Sequence, residues 1–259
     1  MTGDLMELFQ LDQEWLVIGF LVFLRVGAAM ALLPALGEKS VPQRIRLLIG
    51  LLIAVVVFPG ALPLFPTKIP SGSDLVLFVG AETISGMTIG MSLRLFVHAL
   101  QIAGAIVAQS TSLSQIFGGA GLDPQPAIGH VLVISGLALA VTLGLHVKFV
   151  QLILYSYQLF APGKFLSGAG ISEWGVTHVA GVFSLAFSLA APFVVATLIY
   201  NIALGAINRA MPQLMVSFVG APAITAGGLL MLAVITPLIL FVWHTELEVF
   251  IANPFGAQP

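Results

Sequence analysis

Three stretches of this sequence, 75–108, 127–160 and 176–207, each run for more than thirty residues with almost no charge. Such runs are too long for strands, and only a helix satisfies its own backbone hydrogen bonds in an apolar setting. As straight helices they would reach roughly 45 to 50 Å at 1.5 Å per residue, against a hydrocarbon core of roughly 30 Å. They are therefore tilted, broken, or packed on protein beyond the bilayer. Gly86, Gly90, Gly104, Pro192 and Gly205 lie inside them as positions where a helix can break. Three more apolar blocks, 15–36, 45–58 and 214–243, bring the number to six.

Composition agrees with this reading. Of 259 residues, 59% are hydrophobic and 8% charged, where a soluble domain carries about 25% charged residues. The mean hydropathy is +1.09. The fold class expected is all-α: a polytopic integral membrane protein, one membrane domain over 1–259, with about six long, partly broken helices. The net charge of −2 and the lack of a basic run argue against nucleic-acid binding. With no cysteine, disulfides, thiolate metal sites and a cysteine nucleophile are excluded. Asp4, Glu7, Asp12 and Glu14 are opposite in sign to the start of a secretory signal peptide, so the first apolar block is expected to be retained.

The charges inside the blocks carry most of the remaining information. Arg25 lies near the centre of the first block, where a charge costs at least roughly 2.5 kcal/mol to insert. It needs a partner. Glu82 is the best intrachain candidate, and Arg94 competes for it. A buried pair that fixes helix register is a simpler reading than a proton relay, which would need a chain of titratable groups. The histidines 98, 130, 146, 178 and 244 are scattered over four blocks and read as helix-end or interhelix residues, none with a His, Asp or Glu partner one turn away. No HExxH or Gly-x-Ser-x-Gly motif is present, so no metal, cofactor or catalytic residue is expected. Small residues recur every fourth position at Gly86 and Gly90 ahead of Arg94, at Gly136, Ala140 and Gly144, and at Ser184 and Ser188, marking faces where helix backbones approach closely.

Two polar punctuations interrupt the apolar runs. One is Glu38-Lys39-Ser40-Val41-Pro42-Gln43-Arg44-Ile45-Arg46, following Arg25 and Pro34; the other is Asn208-Arg209-Ala210-Met211-Pro212-Gln213-Leu214, with Gly220-Ala221-Pro222 soon after. In these motifs, and in their order and spacing from about Trp15 to Trp243, the chain resembles the FliR family of flagellar type III export-gate proteins. The residues matching the family pattern are Pro42, Arg44, Asn208, Arg209, Pro212, Gln213 and Pro222.

The resemblance implies a structural channel subunit of the flagellar protein-export gate, in the inner membrane at the flagellar basal body, through which unfolded flagellar proteins leave the cytoplasm. It implies assembly with FliP-like and FliQ-like subunits, contact with an FlhB-like switch protein, membrane lipid around it, and no enzymatic activity. Residues 1–125 would form a FliP-like part and 176–248 a FliQ-like helix pair. The uncharged segment 109–122 aligns with the family's plug loop near 109–123, with Gln115, Ile116, Phe117, Gly118, Gly119 and Gly121 as the seal. Bulky Ile116 and Phe117 would pack shut, and the glycines would let the loop withdraw. A virulence-type export gate is the nearest alternative. A small-solute transporter built around Arg25, Glu82 and Arg94 is another, although no internal repeat links the two halves. Lys39, Arg44, Arg46 and Arg209 fall in alternate connections, which by the positive-inside rule puts them in the cytoplasm and both termini in the periplasm.

Overall fold

The computed structural model describes residues 2–38, 40–66, 72–110, 127–165, 168–211 and 216–254, with backbone alone for 2–12, 169, 216–219 and 221. Among them every regular element is helical. The order is α1 Thr2–Leu32, α2 Gln43–Ala61, a 3₁₀ turn Leu62–Leu64, α3 Ser73–Ser110, α4 Ala127–Thr142, α5 Leu145–Leu159, α6 Gly168–Ala210 and α7 Val216–Ala252. Five helices are long and apolar enough to cross a membrane, and six spans result if α4 and α5 count as one. The chain is thus an all-α integral membrane protein.

The breaks fall elsewhere than the glycine and proline content predicts. α3 runs 38 residues through Gly86, Gly90 and Gly104, and α6 runs 43 residues through Pro192 and Gly205. Among the described residues, the apolar block that is cut is 127–160, between α4 and α5. The cut is at Gly144, whose φ of +85° is a left-handed conformation that glycine alone adopts without steric cost. Gly144 therefore ends a helix instead of extending the packing stripe of Gly136 and Ala140.

The chain divides into two compact units, 1–94 with 141–176, and 95–140 with 177–259. In the first, α1 and α2 form an antiparallel hairpin. Trp15 and Phe58 rings meet at 6.5 Å at one end, and Met30 lies against Gly50 toward the other. The start of α3 crosses α1 where both helices present small residues. A Cβ on Gly86 would strike the Arg25 carbonyl, and one on Gly90 would lie 2.5 Å from the Ala29 carbonyl oxygen. Leu21, Val22 and Leu93 of these helices, and Phe149 and Ile153 of α5, are essentially inaccessible.

In the second unit the same device brings α3 to α4, since a Cβ on Gly104 would overlap Gly129. Trp243 of α7 is the largest fully buried side chain. Its indole N–H donates to the Phe96 carbonyl at 2.8 Å, and Gly136 lies beside its ring. Ala99, Val182 and Ala186 form a small buried seam between α3 and α6. Burial thins out along the last two helices. Of the apolar stretch of α3, 56% is buried, against 28% for α6 and 11% for α7.

Candidate functional site

The first unit holds a buried charge cluster built on helix positions that sequence spacing cannot connect. Arg25 and Glu82 are both completely buried. The Arg25 Nε–H donates to Glu82 Oε2 at 2.7 Å and Nη2 donates to Oε1 at 3.0 Å, a two-point contact of the guanidinium edge. Nη1 donates to Ser156 Oγ at 3.2 Å and Nη2 also donates to the Phe160 carbonyl at 3.0 Å. Glu82 Oε1 accepts further from the Gly163 backbone N–H at 3.2 Å. The Tyr157 ring lies 3.7 Å under the guanidinium carbon, covering its face with π density.

Local structure explains how these groups converge. α5 ends at Leu159, and the next residues turn back through Gly163, whose φ of +71° aims its N–H at the carboxylate. The Phe78 ring packs so closely on Gly163 that a side chain there would be displaced. At the other end of the cluster, the glycine at position 86 lets α3 approach α1 within contact of the Arg25 carbonyl, one turn beyond Glu82. Desolvating a charge pair costs several kcal/mol per ion unless the geometry and the remaining hydrogen bonds are good. Here both conditions hold, and the result is a rigid clamp joining α1, α3 and α5.

Arg94 does not compete for Glu82. Its Nη1 reaches Glu38 Oε1 at 2.7 Å and its Nη2 reaches Oε2 at 3.3 Å, with both side chains about a quarter exposed. Glu38 lies in the turn after α1. That turn places Ala35 at φ +66°, a costly conformation for a residue with a side chain. Arg46 secures the same turn by donating to the Glu38 carbonyl at 2.7 Å.

Residues of the two polar motifs lie at exposed helix ends instead of in the cluster. Pro42 stands at the N-cap of α2 and Arg44 in its first turn, both exposed. Asn208 and Arg209 are exposed in the last turn of α6, where a positive charge favourably meets the helix dipole. Pro222 is exposed inside α7. Pro212 and Gln213 lie outside the described residues, as do Gln115, Ile116, Phe117, Gly118, Gly119 and Gly121 of the expected plug.

The histidines require one correction. His244 does have an acidic residue one turn on, and its Nε2 lies 3.3 Å from Glu248 Oε1. Elsewhere His98 Nδ1 meets Gln101 Oε1 at 2.7 Å, and His178 stacks on Phe250 at 4.7 Å. Among the described residues no three His, Cys, Asp or Glu side chains converge as metal ligands. Sequence reasoning missed Ser156, Tyr157, Phe160 and Gly163. Two of these contribute backbone groups, which no residue type announces. The clue available was Ser156-Tyr157, a polar pair inside an apolar block.

Residues 16–249 match the family model described as bacterial export proteins, family 1. The chain belongs to this family. A flagellar biosynthetic protein FliR of Caulobacter vibrioides is 35% identical over 231 residues, covering 87% of this chain and 91% of the relative. The FliR of Escherichia coli is 28% identical over 248 residues, covering 92% and 91% respectively. That of Bacillus subtilis is 26% identical over 232 residues, covering 86% and 87%. The matched range takes in every residue of the charge clamp, from Arg25 to Gly163, and both exposed motifs.

Proposed function

We propose that this chain is a structural subunit of the flagellar type III protein-export gate, at the flagellar basal body in the bacterial inner membrane. It forms part of the conduit through which unfolded flagellar proteins cross, and it catalyses no reaction. The end-to-end likeness to proteins named flagellar biosynthetic protein FliR carries this reading. The geometry supports it: the Arg25–Glu82 pair is completely buried and bonded to Ser156, Phe160 and Gly163, which suits a scaffold clamp better than a site for a transported solute.

α6 and α7 belong to the surface by which the subunit meets others. Their large apolar side chains, Phe187, Leu198, Ile202, Leu230, Val234 and Phe241 among them, are more than half exposed. Both helices exceed a bilayer crossing, reaching ~55 to 65 Å at 1.5 Å per residue, so part of this apolar surface needs protein neighbours. In our reading 176–248 takes the place of a FliQ-like helix pair and 1–125 that of a FliP-like subunit. The FliP-like and FliQ-like partners complete the ring, an FlhB-like switch protein contacts it, and 115–121 plugs the conduit. Co-expression with the partner subunits, followed by detergent extraction and size-exclusion chromatography, tests the proposal. A mixed assembly containing this chain is expected, and a folded, monodisperse monomer that never joins the partners would refute it.

A further inference from the structure

Beside the first two turns of α2, the first unit has an open groove of about 400 Å³, lined by Phe23, Gly27 and Met30 of α1, Thr83 of α3, and Leu47 and Gly50 of α2. Its wall is apolar except for Gln43, Arg46 and Thr83, and the Thr83 hydroxyl is turned onto its own helix, donating to the Val79 carbonyl at 2.7 Å. At Gly27 an added Cβ would come no nearer than 3.8 Å to any neighbour, so the space there exists because a side chain is missing. The size lies within the range of small-ligand pockets, roughly 300–1,000 Å³.

The α2 end of the groove is built for an anion. Pro42 gives the first turn no side-chain cap, and that turn contains no acidic residue; the Ile45 and Arg46 N–H groups close on the Pro42 carbonyl, and the helix start presents the positive end of its dipole. Arg46 spends Nη2 on the Glu38 and Val41 carbonyls, while its Nε is buried with no hydrogen-bond partner. A buried donor without an acceptor costs about 1–3 kcal/mol. The nearby carboxylate of Glu38 is occupied by Arg94 and does not neutralise Arg46. Exposed Arg44 adds a second positive charge.

We infer that this groove binds one anionic phospholipid. Its phosphate accepts from Arg46 Nη1, which has no acceptor among the described residues, and from the start of α2, and one acyl chain lies along Gly27, Leu47 and Gly50. A basic helix start beside an apolar channel matches both halves of such a lipid, and basic residues at a membrane face attract anionic headgroups. The inference rests on the first unit alone and stands apart from the export role.

Native mass spectrometry of the full chain, with its co-purified subunits, tests it after delipidation and titration with dioleoylphosphatidylglycerol. One tight lipid per chain is expected, bound more strongly than dioleoylphosphatidylcholine. Arg46→Gln should weaken it roughly tenfold or more, the worth of a charge-assisted hydrogen bond. Gly27→Leu should abolish it by filling the groove, with Leu47→Trp as a second filler where Gly27→Leu fails to assemble; Leu230→Ala in the other unit should leave it unchanged. Equal lipid binding in all these variants, or equal preference for the neutral lipid, would overturn the inference. So would displacement by inorganic phosphate alone, which marks a small-anion site, or a co-purified polypeptide seated there in place of lipid.

Discussion

Removing one half of the Arg25–Glu82 pair leaves the other half charged and dry. Arg25→Leu is expected to cost ~3–5 kcal/mol, the range for orphaning a buried charge. Arg25→Lys keeps the charge and loses the two-point contact, so its loss is smaller. Flagellar assembly and motility of cells carrying each variant check this, and equal tolerance of both would show that the pairing does not matter. Arg25→Leu with Glu82→Leu should recover stability relative to either single change, because an apolar pair carries no desolvation penalty. At this scale the sequence was legible wherever a charge sits in an apolar run: Arg25 demands a partner, and Glu82 is an acidic residue inside another apolar block. It was opaque for Ser156, Phe160 and Gly163, separated from Arg25 or Glu82 by up to 135 positions and recruited partly through backbone atoms. The Arg94–Glu38 pair escaped for another reason. Glu38 stands in a turn whose path, set by a strained Ala35, is not written in residue type.

Glycines inside helices divide into two kinds that sequence alone does not separate. Gly86 holds α3 against the backbone of α1, whereas a Cβ on Gly205 meets nothing within 4 Å. Gly86→Ala should therefore push the two helices apart and lower the yield of folded protein. Gly205→Ala should be neutral or stabilise by about 0.5–1 kcal/mol, the helix-propensity difference. Thermal unfolding in detergent distinguishes the two, and equal melting temperatures would show that the crossing at Gly86 is not tightly packed. Helix existence was readable from apolar length, and five or six spans follow from it. The position of the break between α4 and α5 was not. A helical glycine buried against a neighbour and a helix-ending glycine such as Gly144 look alike in sequence, and only the backbone angle, +85° at Gly144, tells them apart.

For the whole molecule, the proposed seal gives the sharpest test. If 115–121 plugs the conduit, deleting it, or replacing Ile116 and Phe117 by Gly, should leave assembly intact while raising ion leakage in cells that overproduce the complex. Wild-type conductance from a normally assembled deletion would remove the seal from that segment. The clamp also imposes an order on biogenesis. Arg25 is synthesised 57 residues ahead of Glu82 and 131 ahead of Ser156. At roughly 5–20 residues per second, it waits about 3 to 11 s for its counter-ion and about 7 to 26 s for the serine. During that interval a bare guanidinium stands in the hydrophobic segment of α1. The nascent chain must keep it in water or against the insertion machinery until the third helix arrives, so release of the first two helices into lipid is deferred by a single side chain.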